Sequence, residues 1–145
     1  MTRYRKQSNC VYACEYHVVL TTKYRRKIFA DGIGEYLGQR LPEIRKYYPE
    51  LDIIEYNHDK DHIHILISIP PKLSLGSVVR IVKSNSSRWL KGKFGEYLRK
   101  VYWGTGAIWS EGYFVSTVGR DEKVIRKYIE MQGRDDEGRT TFETG

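Results

Sequence analysis

Residues 62–69 alternate without a break. Ile63, Ile65, Ile67 and Ile69 take every odd position, and His62, His64, Leu66 and Ser68 take every even one. Successive side chains of a strand leave opposite faces, so this period of two commits the segment to a β-strand with one isoleucine face that must be buried. The neighbouring segments supply the rest of a sheet and its cover. Residues 51–57 predict the other arm of a hairpin, closed by the polar turn His58-Asp59-Lys60-Asp61. Cys10 through Leu20, rich in Val, Tyr and Cys, predicts another strand, and Ala107 through Val118, with its aromatic content, a fourth.

Three helices fit between and after them. Asp31 predicts the cap of a helix reaching about Tyr48, with Ile33, Leu37, Leu41 and Ile44 on one face and Pro49 as its stop. Pro70-Pro71 ends the alternating strand. Ser74 then begins an amphipathic helix with Leu75, Val78, Val79, Val82, Trp89 and Leu90 inward and Arg80, Lys83 and Arg88 outward. Asp121 predicts the cap of a last helix, and Gly133 fits the position just past its C-terminus. The order β-α-β-β-α-β-α predicts an α+β domain, an antiparallel sheet with packed helices of the split βαβ, ferredoxin-like kind.

With 145 residues, 40% of them hydrophobic, the chain supports one core, and neither a linker nor a repeat divides it. We expect a single domain over residues 1–133 and a polar, mobile tail over 134–145. The opening Met1–Lys6 has no apolar core of a secretory signal, and no run approaches the length of a membrane span, so a cytoplasmic location without membrane is expected. If Cys10 and Cys14 share a strand, their Cα atoms lie about 13 Å apart, too far for a disulfide. Both therefore read as small apolar residues in a reduced compartment. Gly32, Gly34 and Gly38 lack the spacing of a dinucleotide fingerprint, and there is no P-loop, so no nucleotide cofactor is expected.

The net charge of +7 is uneven. Lys and Arg crowd residues 1–30 and 72–100, while acids outnumber them in 31–71. Two basic blocks around an acidic one suggest a localised footprint for phosphates. Lys23, Arg25, Arg26 and Lys27, with Arg80, Lys83, Arg88, Lys91 and Lys93, are the candidates to track a nucleic-acid backbone. Tyr24 is placed to stack on unpaired bases. Trp89 reads first as core.

The even face of 62–69 carries two imidazoles whose Cα atoms lie about 6.6 Å apart, close enough to converge on one ion. Alone, such a pair is more often two half-exposed strand histidines. In the last helix, Tyr128 and Gln132 are four residues apart and share a face beside the apolar stripe of Ile125 and Ile129. A tyrosine beside such a stripe is ordinarily a core residue with a wet hydroxyl. Gln132 changes the balance, since an amide oxygen completes a coordination sphere begun by His62 and His64. Mg²⁺ or Mn²⁺ accepts such mixed ligands, and imidazole favours Mn²⁺.

Taken together, these pieces carry a resemblance. They are His62-Ile63-His64, Ile69-Pro70-Pro71-Lys72, Ser86-Ser87-Arg88, Trp109 through Gly119, and Tyr128-Ile129-Glu130-Met131-Gln132. From Tyr16 to Gln132 the chain resembles the single-tyrosine transposases of the insertion-sequence 200/605 type, within the His-hydrophobe-His superfamily of rolling-circle initiators and relaxases. One departure is local: a Lys-Gly pair usual before Ser-Ser-Arg stands here as Lys83-Ser84 and bears on DNA grip.

The resemblance implies a metal-dependent enzyme that cleaves and rejoins single-stranded DNA with hairpin ends. Tyr128 is then the nucleophile, and His62, His64 and Gln132 the metal ligands. It further implies a homodimer whose subunits share active sites. Val124 stands where relaxases often carry a second tyrosine, which favours the one-tyrosine class. Alternatives are a domesticated relative acting on chromosomal palindromes, a non-catalytic ferredoxin-like nucleic-acid binder, and a metal phosphodiesterase using water. The last two would both survive Tyr128→Phe.

Overall fold

The computed structural model describes residues 4–7, 10–102, 106–117 and 121–138. Its centre is a four-stranded antiparallel sheet of β3 (Glu15–Thr21), β4 (Asp52–His58), β5 (His62–Ser68) and β6 (Phe114–Ser116), in the spatial order β4-β5-β3-β6. The alternation in β5 is realised as expected. Ile63, Ile65 and Ile67, with Val18 and Leu20 of β3, are sealed under α1 (Ile33–Arg40) and α2 (Leu75–Val101). Ser74 caps α2, its side chain accepting from the Ser77 amide at 3.1 Å. Trp89 is core, with the Arg40 guanidinium 4.8 Å above its ring.

The opposite face of the sheet, where His62 and His64 stand, is covered by α3 (Glu122–Asp136). Val19, Ile125 and Ile129 make a small second core there, flanked by Phe114 and Tyr128. Asp121 caps α3 by accepting from the amides of Lys123 and Val124. The architecture is the expected α+β split βαβ arrangement.

Several boundaries differ from expectation. The strand expected over Cys10–Leu20 breaks at Ala13-Cys14, and its first part, β2 (Cys10–Tyr12), pairs instead with β1 (Arg5–Gln7) in a separate two-stranded sheet. Cys10 and Cys14 are free thiols, the former exposed rather than tucked into apolar surroundings.

The helix expected to Tyr48 is α-helical only to Arg40 and continues as a 3-10 segment, Leu41–Lys46. Pro42, which has no amide hydrogen to donate back along an α-helix, sits at the junction. Asp31 does not cap it; Gly32 precedes the helix in the left-handed conformation. Of the strand expected over 107–118, the described residues 107–117 are strand only at Phe114–Ser116, preceded by an isolated Thr22–Trp109 bridge, and residue 118 lies outside the described residues.

Gly133 does not end α3, which runs on to Asp136, and Gly138 carries the positive φ of the stop. The mobile tail expected from Arg134 therefore begins as helix, and residues 139–145 lie outside the described residues. Among the described residues no helix is long and apolar enough to cross a membrane.

Candidate active site

Strand pairing fixes the histidine face. His64 stands opposite Val19 across the β3–β5 ladder, His62 opposite Thr21, and His17 opposite Leu66. His17 therefore lies on the same face, diagonal to His64. Its Nδ1 is 3.2 Å from His64 Nε2, with ring centroids 5.1 Å apart. His64 is buried at 6% exposure.

His62 is more open. Its Nδ1 lies 2.9 Å from Asp61 Oδ1, which leaves Nε2 as its outward nitrogen. Burial raises the Asp61 carboxyl pKa, but hydrogen bonds and charge from His62 and Arg25 outweigh it and hold the carboxyl below its ordinary range. The other Asp61 oxygen accepts from Arg25 Nε at 3.2 Å. His62 opens on a cleft of about 470 Å³ whose basic wall is Arg25, Lys27, Lys60 and Arg126.

On α3 the i, i+4 spacing does put Tyr128 and Gln132 together. Both reach the loop at Gly112: a Cβ there would sit 2.7 Å from Gln132 Oε1 and 3.3 Å from the Tyr128 oxygen. Only a residue without a side chain admits this approach. The Tyr128 ring is 5.8 Å from Phe114. Its hydroxyl is buried with no hydrogen-bond partner among the described residues. Burial, then the charges of Asp136 and Asp135, push its pKa upward. The His62 cleft is lined from α3 by Glu122, Ile125, Arg126, Ile129 and Glu130, and neither Tyr128 nor Gln132 is among its lining residues. Within one chain, the phenol thus does not open on the His62 cleft.

The C-terminal end of α3 is fastened by one carboxylate. The side chain of Asp136, 2% exposed, accepts from the Tyr24 amide at 2.8 Å and from the Ser110 hydroxyl, and lies 3.5 Å from Lys23 Nζ. Tyr24 and Arg25 are consecutive non-glycine residues with positive φ, 58° and 52°. Such a pair costs on the order of 1–3 kcal/mol per residue and persists only where surroundings hold it. Asp136 and Asp61 are what hold it here, one on the Tyr24 amide and one on the Arg25 side chain.

The basic candidates divide. Lys83 donates to the carbonyls of Ser110, Glu111 and Gly112 at 2.7, 3.0 and 3.0 Å. Desolvation lowers its pKa. It thus clasps the loop behind Tyr128 rather than facing solvent. Lys23 and Arg25 are tied to Asp136 and Asp61. Arg26, its guanidinium 5.7 Å from the Tyr24 ring centroid, and Lys27, Arg80 and Arg88 are exposed.

Reading the sequence missed His17, Asp61, Gly112 and Asp136. His17 alone had a signal, its even spacing from Val19 and Thr21 on one strand face.

The family model described as "Transposase IS200 like" matches residues 10–132. The transposase for insertion sequence element IS200 from Salmonella typhimurium is 35% identical over 123 residues, covering 85% of this chain and 79% of that protein. The ISDra2 transposase TnpA of Deinococcus radiodurans is 30% identical over 129 residues, 88% of this chain and 90% of its own.

Among solved structures, a protein assigned as a transposase from Deinococcus radiodurans superposes with TM-score 0.77 at 29% identity, covering 88% of this chain and 97% of that one. A REP-associated tyrosine transposase bound to a REP hairpin shares the fold at TM-score 0.51 and 15% identity, covering 96% and 76%. With the matching span reaching from the start of β2 to Gln132, this chain belongs to the IS200-like transposase family.

Proposed function

We propose that this transposase cleaves and rejoins single-stranded DNA at insertion-sequence ends, with Tyr128 as nucleophile. The observation that carries the reading is the phenol itself. A buried hydroxyl without a partner among the described residues is a cost that structure alone does not repay, and it stands beside the Gln132 amide at a glycine that makes room for both. Tyr128 gives up its phenolic proton to solvent as its oxygen attacks the scissile phosphorus, forming the phosphotyrosine ester on the 5′ side. The bond to the 3′ oxygen breaks, and that oxygen leaves as a hydroxyl after taking up a proton from solvent. A 3′-hydroxyl attacking the same phosphorus reverses the step and returns the proton to the phenol. The ester conserves the bond, so no nucleotide is consumed.

His62 and His64 fit a divalent cation, Mg²⁺ or Mn²⁺. They share one face, and His62 already has its Nδ1 engaged by a carboxylate, the arrangement usual behind a ligating imidazole. Gln132 would add an amide oxygen. Such an ion, when bound, polarises the scissile phosphate and offsets charge growing on its oxygens. Tyr128 and Gln132 reach the loop at Gly112 and do not line the His62 cleft of their own chain. That supports a homodimer in which the tyrosine helix of one subunit completes the histidine site of its partner. Arg26, Lys27, Arg80 and Arg88 are exposed and would follow the backbone of a DNA hairpin, the ligand seen on a protein of the same fold.

Single-stranded DNA labelled at either end, incubated with protein and run on denaturing gels, tests this. The adduct should retain the label 3′ of the break, excess chelator should suppress it, and Tyr128→Phe should abolish it while hairpin binding persists. Normal cleavage by that variant would remove the assignment.

A further inference from the structure

Asp61 stands between two elements that the reaction must coordinate. One oxygen engages His62 Nδ1 at 2.9 Å, and the other accepts from Arg25 Nε at 3.2 Å. Arg25 in turn lies across α3 at Gly133. A Cβ there would sit 2.5 Å from Arg25 Cδ and 2.9 Å from its Cγ, so only glycine lets the arginine stem cross the helix at this depth. The Arg25 backbone is held in a left-handed turn with φ 52°, aiming the side chain along this path. The continuous chain of contacts is therefore α3 at Gly133, Arg25, Asp61 and His62.

We propose that Asp61 is a positioning residue for His62, and that Arg25 couples it to the docked position of the tyrosine helix. The inference rests on His62 being a metal ligand. Accepting the Nδ1 proton fixes the imidazole tautomer with Nε2 bare toward the cleft, and the ring cannot rotate without breaking the contact. The aspartate side chain would itself swing without its arginine. When α3 departs from its own sheet, Arg25 loses the floor provided at Gly133, and the grip on His62 loosens. The helix that carries the nucleophile thus reports its position to the imidazole that holds the ion.

The side-chain role is separable from folding. The Asp61 carbonyl accepts from the Thr22 amide at 3.0 Å and the Thr22 hydroxyl at 3.1 Å, contacts that a side-chain substitution leaves in place.

Mn²⁺ binding to the full chain, read from the electron paramagnetic resonance signal of the free ion and needing no DNA, tests the proposal. Thermal melts run alongside check folding. Asp61→Ala should weaken binding by about 10–100-fold, the usual cost of losing such a partner. Asp61→Asn, whose amide oxygen still accepts from Nδ1, should recover most of it. Gly133→Ala should weaken binding several-fold in the native background and add nothing in the Asp61→Ala background. Wild-type affinity in Asp61→Ala, with His62→Ala impaired, would overturn the proposal and leave the metal site standing. Wild-type affinity in His62→Ala would overturn the metal-ligand reading itself. Equal loss in Asp61→Asn and Asp61→Ala would overturn the hydrogen-bond basis, and additive loss from Gly133→Ala would overturn the coupling.

Discussion

A phenol that finds no partner inside a protein is worth more to stability removed than kept. Leaving a buried hydroxyl unsatisfied costs about 1–3 kcal/mol, and phenylalanine fills nearly the same space. Tyr128→Phe, inactive as a nucleophile, should therefore melt a few degrees higher than the native chain, a shift that calorimetry reads directly. The alkaline limb gives a second check. Burial lifts the Tyr128 pKa above its ordinary 10.0. The native state then holds this proton more firmly than the unfolded chain. Its contribution is complete below about pH 10 and is lost as pH rises toward the native value. Melting temperature should fall above that point, and less steeply in Tyr128→Phe. Some slope will remain, because burial raises Tyr56 and Tyr102 as well.

Helix α3 is attached differently from the other elements. Its apolar contact is the small cluster of Val19, Ile125 and Ile129, whereas α1 and α2 close over the large isoleucine core. Low apolar burial marks segments that open below the global unfolding free energy. Amides of α3 should exchange faster than those of β5 and α2. Asp136→Asn, which weakens the anchor at the helix end, should widen that gap selectively.

The same contrast explains what was legible beforehand. The β4–β5 hairpin, the start of α2 at Ser74 and the start of α3 at Asp121 follow from alternation and local caps, so they stand within about a residue of expectation. Residues 107–113 do not form a strand, because their path is set by Lys83 grasping three carbonyls and by Trp109 bridging Thr22. Those contacts join segments far apart in sequence and leave no periodic trace. Gly133 misled for a related reason: it serves a side chain arriving from residue 25, not the end of its own helix. Of the candidate site, spacing marked His62 with His64 and Tyr128 with Gln132 as pairs, and the family resemblance supplied their expected roles. The His17 and Arg25–Asp61 contacts needed the strand register and the packed helix.

For the whole molecule, the decisive question is whether one chain suffices. Tyr128 does not line the His62 cleft of its own chain, so the composite site should form between protomers. A Tyr128→Phe chain mixed with a His64→Ala chain tests this. Each homodimer should be inactive, whereas the mixed dimer holds one site with both native groups and should recover up to half of native cleavage. Absence of any recovery, with heterodimers demonstrated by differential tagging, would place the reaction within a single subunit.

Asp136 carries one further consequence. The family match closes at Gln132, yet the carboxylate pinning the strained Tyr24-Arg25 turn and the far end of α3 comes four residues later. A fragment trimmed to the shared homology would retain every proposed reacting group and still release that turn. The shortest competent enzyme should extend beyond the recognisable domain, and trimming experiments should find the edge at Asp136.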